Sequence, residues 1–165
     1  MINFRKIEFV ITNGLQSWLK SKGYNCPVIM ANQTVPIPEY PYISYTVTTP
    51  VAADMKGYSV AEDGTRYKAL TQIWSFTIQS ANDEEAITIA MLAYDWFALI
   101  GNTYLSDNKI VAQRVGYISN RDNLLTIEYE YRRGFDVVFL LTHTISKADS
   151  EQAGYIESAE VNKEV

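Results

Sequence analysis

The sequence is poor in the residues that carry most protein chemistry. It has one cysteine, Cys26, and one histidine, His143, in 165 residues. That excludes an internal disulfide framework, any multi-cysteine zinc site and most catalytic triads. Cys26 has no activating neighbour in sequence and reads as the filler of a small apolar site. His143 stands where a striped apolar run gives way to a polar tail, and reads as an ordinary strand-end histidine. The glycines stand at 14, 23, 57, 64, 101, 116, 134 and 154, and no pair has the spacing of a P-loop or a dinucleotide turn, so no nucleotide cofactor is expected. No metal is expected either. No apolar run approaches the roughly 20 residues of a spanning helix, and Met1-Ile2-Asn3-Phe4-Arg5-Lys6 lacks a secretory core. The expectation is a soluble chain made in the cytoplasm, with no membrane partner. Basic residues are outnumbered 14 to 19, a formal charge of -5, which argues against affinity gained by neutralising phosphates.

Apolar residues, by contrast, make up 47% of the chain and aromatics 13%, enough for one globular core. Phe4, Ile7, Ile11, Leu15, Trp18 and Leu19 recur at threes and fours, which predicts an amphipathic helix from Asn3 to Lys22 stopped by Gly23. Gly14 inside it implies a close contact or a bend. Val28 to Asn32 reads as a short strand. The following stretch holds Pro36, Pro38 and Pro41 and must be extended, as an edge or a segment crossing the surface. Tyr42 to Thr49 alternates as a strand covered on one face, ended by Pro50. Residues 51 to 65 show no period, and a second alternating strand runs from Arg66 to Ser80, so the two make a long hairpin arm. Loops of that length bind a partner or have none; Met55, Lys56, Gly57, Tyr58, Glu62 and Asp63 are the candidate contact residues.

Asn82-Asp83-Glu84-Glu85 starts a second helix, with Asn82 as cap and Glu85 reaching back. It runs to about Ile100, where Gly101 closes it. From Ala86 to Ile100 it carries little polar surface, more than one small domain covers, which makes part of it a subunit interface. Strand resumes from Ile110 to about Ser119, residues 120 to 123 form a turn, and the last arm runs from Leu124 to Thr142. Its odd positions are apolar except Arg133. Its even positions carry Glu128, Glu130, Arg132 and Asp136. An arm this long predicts a bend or bulge at Gly134. The charged face reads as cross-strand ion pairs on a solvated or interface surface; the carboxylates of Glu128 and Glu130 also fall near glycosidase spacing. Residues 146 to 165 carry two basic and five acidic side chains and read as an acidic tail, flexible or ordered by a partner. The whole is α+β: a mostly antiparallel sheet with two main helices packed on it, one domain over 1–145, then the tail.

Asn120-Arg121-Asp122, followed by Tyr129-Glu130-Tyr131-Arg132-Arg133-Gly134-Phe135-Asp136-Val137, resembles the closing hairpin of the tail-terminator or neck proteins of tailed bacteriophages. There an N-R-D turn precedes a Y-E-x-R-x-G-F-D-V strand. Tyr40-Pro41-Tyr42-Ile43-Ser44-Tyr45 and the Ser80 to Ala86 helix start are similar too, and the element order agrees over residues 3 to 141. The resemblance implies a non-enzymatic structural protein of the virion neck, a six-membered ring that ends the tail tube and joins it to a head connector or completion protein. DNA passes through the hole without specific binding, and a sheath protein is a further neighbour. Arg121, Asp122, Glu128, Glu130, Arg132, Arg133, Gly134 and Asp136 are the candidate ring-interface or structural residues. Residues 128, 130, 132 and 136 form a seam between subunits, with Arg133 pairing separately or facing the channel; or Arg132 or Arg133 pairs with Asp136 or Glu130 inside one subunit. A head-completion protein on the portal side is the nearest alternative, and a small α+β enzyme or ligand-binding domain the more distant one.

Overall fold

The computed structural model describes residues 2–32, 34, 36–52, 57–124 and 129–148. The fold is α+β. One sheet has the strand order β1 (Val28–Met30), β2 (Tyr42–Ala52), β4 (Arg66–Ser80), β8 (Tyr129–Ile145), β5 (Ile110–Val115). Its pairings are antiparallel except β1 with β2, which is parallel. Three short strands extend the pattern. β3 (Ser59–Val60) prolongs the β2 line along β4, while β6 (Ser119–Asn120) and β7 (Asn123–Leu124) prolong the β5 line along β8.

Helix α1 (Phe4–Ser21) begins where Asn3 accepts the Lys6 amide at 3.1 Å, and ends where Gly23 takes φ +90°, a conformation that favours glycine. It buries Val10, Ile11, Leu15 and Leu19 on one stripe. Trp18 Nε1 donates to the Leu92 carbonyl at 3.0 Å, tying α1 to α2 (Asp83–Asp95). Asn82 caps α2 by accepting the Glu85 amide at 3.0 Å. Glu85 does not reach back to Asn82 itself: its carboxylate takes the Ser80 hydroxyl, and Ser80 Oγ accepts the Asn82 amide.

Gly101 does not close the second helix. After a π turn at Trp96–Ile100 the chain stays helical through α3 (Asn102–Asp107). Gly101 keeps a right-handed backbone (φ -81°, ψ -4°) and so makes no left-handed stop; its missing side chain makes room for the Trp96 ring, from which a Cβ would stand 2.6 Å. The same ring, with Tyr104, settles Gly14: a Cβ there would stand 2.5 Å from Tyr104 and 2.7 Å from Trp96. Gly14 therefore serves a close contact. The helices cover one face of the sheet, over a core of Trp74, Phe76, Phe97, Phe135 and Phe139.

Several strand expectations change. Pro50 does not end β2; it lies in an irregular stretch between Thr49↔Ile73 and Ala52↔Thr71, where the lost donor costs no regular ladder bond. Residues 51 to 65 are not without structure, since Val51 and Ala52 extend β2 and β3 pairs with β4. The strand after Ile110 is shorter than expected, with a register shift between Ala112 and Arg114. The arm does not reverse at 120 to 123, because pairing continues through Asn123↔Glu130 and Leu124↔Tyr129. The last strand is Tyr129–Ile145, and it pairs with β4 from Tyr131 to Ile145 without a register shift at Gly134. No bulge is needed, because β4 runs 15 residues beside it.

Candidate functional site

The other face of the sheet carries the charges. Cross-strand neighbours there are Gln79↔Arg132, Thr77↔Gly134 and Ser75↔Asp136, and Ser119 pairs with Gly134 from the other side. Arg121 leaves the end of β6 and lays its guanidinium across Gly134, where a Cβ would stand 2.7 Å from its Cδ, Nε and Nη1. Nη1 donates to Ser75 Oγ at 2.8 Å and Thr77 Oγ1 at 3.0 Å, and Nη2 to Asp136 Oδ1 at 3.1 Å. One side chain thus bridges three strands. Gly134 is required by this close approach, not by a bend.

Asp122 points the other way. Its Oδ1 accepts the Arg132 amide at 2.7 Å and the Arg133 guanidinium. Arg133 also pairs with Asp83 in the first turn of α2. The charge that breaks the apolar side of β8 therefore joins the hairpin to the helix start, paired apart from Arg132. Burial alone would raise the Asp122 carboxyl, but the Arg132 amide, the Arg133 and Asn120 contacts and the Arg133 charge outweigh it and hold it below the usual carboxylate range. Asp136 is likewise held low: burial opposes its charge, and Ser75 and Arg121 overcome that.

Glu130 is not on a solvated face: it is 3% exposed. It pairs with Arg132 in the same chain and accepts the Tyr40 hydroxyl at 2.7 Å. Tyr40 belongs to the proline-rich stretch, which crosses this face. Burial first, then the Glu130 hydrogen bond and charge, push the Tyr40 phenol up to about 12. Glu128 lies outside the described residues, so the paired-carboxylate reading has no geometry here.

The structure brings Arg121, Asp122, Glu130, Arg132, Arg133, Gly134 and Asp136 together at one end of the sheet. The candidate contact loop is elsewhere, roughly 33 Å away, since ten residues of β8 at ~3.3 Å each separate Gly134 from Thr144. Met55 and Lys56 lie outside the described residues. Gly57 takes φ +102°, and Tyr58 packs on His143 and under Lys68. Glu62 is exposed, and Asp63 accepts the Thr65 amide at 2.8 Å in the turn before β4. His143 sits in β8 near its end, as expected of a strand-end residue. Sequence reasoning missed Tyr40, Ser75, Thr77 and Asp83 as members of the charged network. The spacing within β8 carried no signal for them, because each arrives through pairing with another element. Cys26 is buried, and burial, then the Glu85 charge, push its thiol up to about 12. Among the described residues no three histidine, cysteine or acidic side chains gather as metal ligands, and no helix is long and apolar enough to cross a membrane.

Large apolar side chains are exposed on the helical run: Ile87, Met91, Leu99, Ile100 and Tyr104. The network charges are matched inside the chain, whereas these apolar residues stay in solvent. The chain belongs to the phage neck terminator protein family, whose model matches residues 10–165. No curated protein matches it. The family is structural and places the chain in the phage virion, at the neck, with other virion proteins as its partners.

Proposed function

We propose that the chain ends the tail tube as a six-membered ring and joins that tube to the head connector, with DNA passing through the hole unbound. The observation that carries this reading is the uncovered apolar surface from Ile87 to Tyr104 on a chain of the neck terminator family. A lone domain leaves it in water; identical copies around an axis bury it. The acidic balance of -5 suits a lumen that repels the phosphate backbone. Residues 1–145 form the ring-building domain, and the acidic segment 146–165 lies apart from it in role. Gly57, Tyr58, Glu62 and Asp63, on the arm far from the charged network, contact the adjoining tube, sheath or connector layer.

The network residues act within one subunit in this reading. Arg121, Asp122, Glu130, Arg132, Arg133 and Asp136 pair with one another or with Asp83, and they shape the hairpin rather than form the seam. Electron microscopy of the purified protein, alone and mixed with tail tubes, tests the function. Closed rings of six at tube ends are expected. Particles that stay single and ignore tube ends overturn it.

A further inference from the structure

At the end of the sheet away from Gly134, the first turns of α1 and the start of β5 border a groove of about 300 Å³. Ile2, Ile7, Val10 and Ile110 give it apolar walls, Lys6 and Lys109 are its exposed cations, and Thr144 of β8 lines it as well. Among the described residues no acidic side chain lines it and neither lysine has an ion pair. Asp107 is exposed nearby in sequence but does not line it. Glu62 and Asp63 belong to the turn between β3 and β4, on the other side of β8 from β5. The described chain leaves β8 at Ile145 and reaches Ala148, no more than about 14 Å from Thr144, since four residues span at most ~3.6 Å each.

Residues 149–165 follow, outside the described residues, with five acidic side chains and one lysine. Tyr155-Ile156 is their one pair of adjacent large apolar residues, and Glu151 and Glu157 flank it. We propose that the stretch from Glu151 to Glu157 docks in this groove of its own chain, with Tyr155-Ile156 against the apolar walls and the two carboxylates at Lys6 and Lys109. Reach selects this stretch. A flexible chain of n residues spans roughly 5–6 Å × √n, so the seven residues from Ala148 to Tyr155 average about 15 Å, which matches the distance to the groove. Effective concentration is highest at such a match, and this favours the tethered segment over that of a second copy. Two exposed ion pairs alone hold a segment weakly; the apolar pair adds burial, which salt does not screen. The contact lies within one subunit and is independent of ring formation, so the acidic segment is ordered without a partner.

Zero-length carbodiimide cross-linking of the full-length protein, read by denaturing electrophoresis and peptide mass spectrometry, tests it. A product of one-chain mass that joins Lys6 or Lys109 to Glu151 or Glu157 is expected. The same bond in a product of two-chain mass places the segment on a neighbour and overturns the assignment. So does the absence of any bond from the segment to these two lysines. Hydrogen exchange gives a second reading. Lys6→Glu combined with Lys109→Glu should speed exchange over residues 149–157 by roughly threefold to tenfold, the scale of two exposed ion pairs. Adding Glu151→Lys and Glu157→Lys should slow it again. Both lysines are exposed, and matching circular dichroism confirms that the variants are folded; Lys6→Gln with Lys109→Gln stands in for a pair that is not. Exchange that is the same in wild type and variants overturns the docking.

Discussion

Gly134 and Arg121 act as one unit. The glycine leaves room for the guanidinium, and the guanidinium holds Ser75 and Thr77 of β4 to Asp136 of β8. Gly134→Ala pushes the arginine off these partners, so a loss of about 1–3 kcal/mol in urea unfolding is expected, the scale of hydrogen bonds to a charged group. In an Arg121→Ala background the same substitution has nothing left to displace, and its cost should fall by about 1 kcal/mol or more. Equal costs in the two backgrounds contradict the coupling. Asp122 offers a second test at this scale. Its carboxyl and that of Asp136 are held below the ordinary value of 3.8, so the folded state binds protons there less readily than the unfolded chain does. Their stabilisation is complete above pH 4 and is lost as pH falls through the lowered folded values. Melting temperatures recorded between pH 5 and pH 2 should fall less steeply in Asp122→Asn than in wild type, and parallel slopes would show that Asp122 is not one of the groups responsible.

Between elements, the Trp96 ring decides more than helix propensity does. Gly14 of α1 and Gly101 before α3 both stand against it, which is how three helical segments pack over one sheet face. Replacing glycine by alanine inside an exposed helix gains about 1 kcal/mol. Here the added methyl meets Tyr104 and Trp96, and overpacking of this kind costs about 1–3 kcal/mol. Gly14→Ala should therefore lower stability despite its better helix propensity, as thermal unfolding would show; a rise would mean the rings move aside freely. The helix periods, the Asn82 cap and the β2 and β4 alternation were legible in sequence because each depends on neighbours along the chain. The path through Gly101 was not. A glycine after an apolar run reads as a stop, and only the position of Trp96 shows that this one leaves room for a ring while its backbone stays right-handed. Gly134 misled for a related reason: its missing side chain serves Arg121, a residue on another strand, and length alone pointed to a bulge.

In the proposed ring, copies join either through the charged stripe of β8 or through the exposed apolar surface. The stripe of Glu130, Arg132 and Asp136 was visible in the alternation of β8, but its partners were not, since Tyr40 and Arg121 reach it only once the proline-rich stretch and β6 are in place. In the fold these charges are matched internally, with Glu130 out of solvent, and the exposed surplus is apolar. The two arrangements differ in what a charge reversal does. Arg132→Glu leaves Glu130 without its cation and sets a second carboxylate beside it. A fully buried broken pair costs about 3–5 kcal/mol; with Arg132 31% exposed, solvent reduces this, and a loss of about 1–3 kcal/mol is expected. Ring mass in native mass spectrometry should stay that of wild type, in low salt and in high salt alike, because apolar contacts are not screened. A seam made of these charges would behave in the opposite way: the reversal would break the ring, high salt would loosen the wild-type ring, and the isolated subunit would melt where it did before.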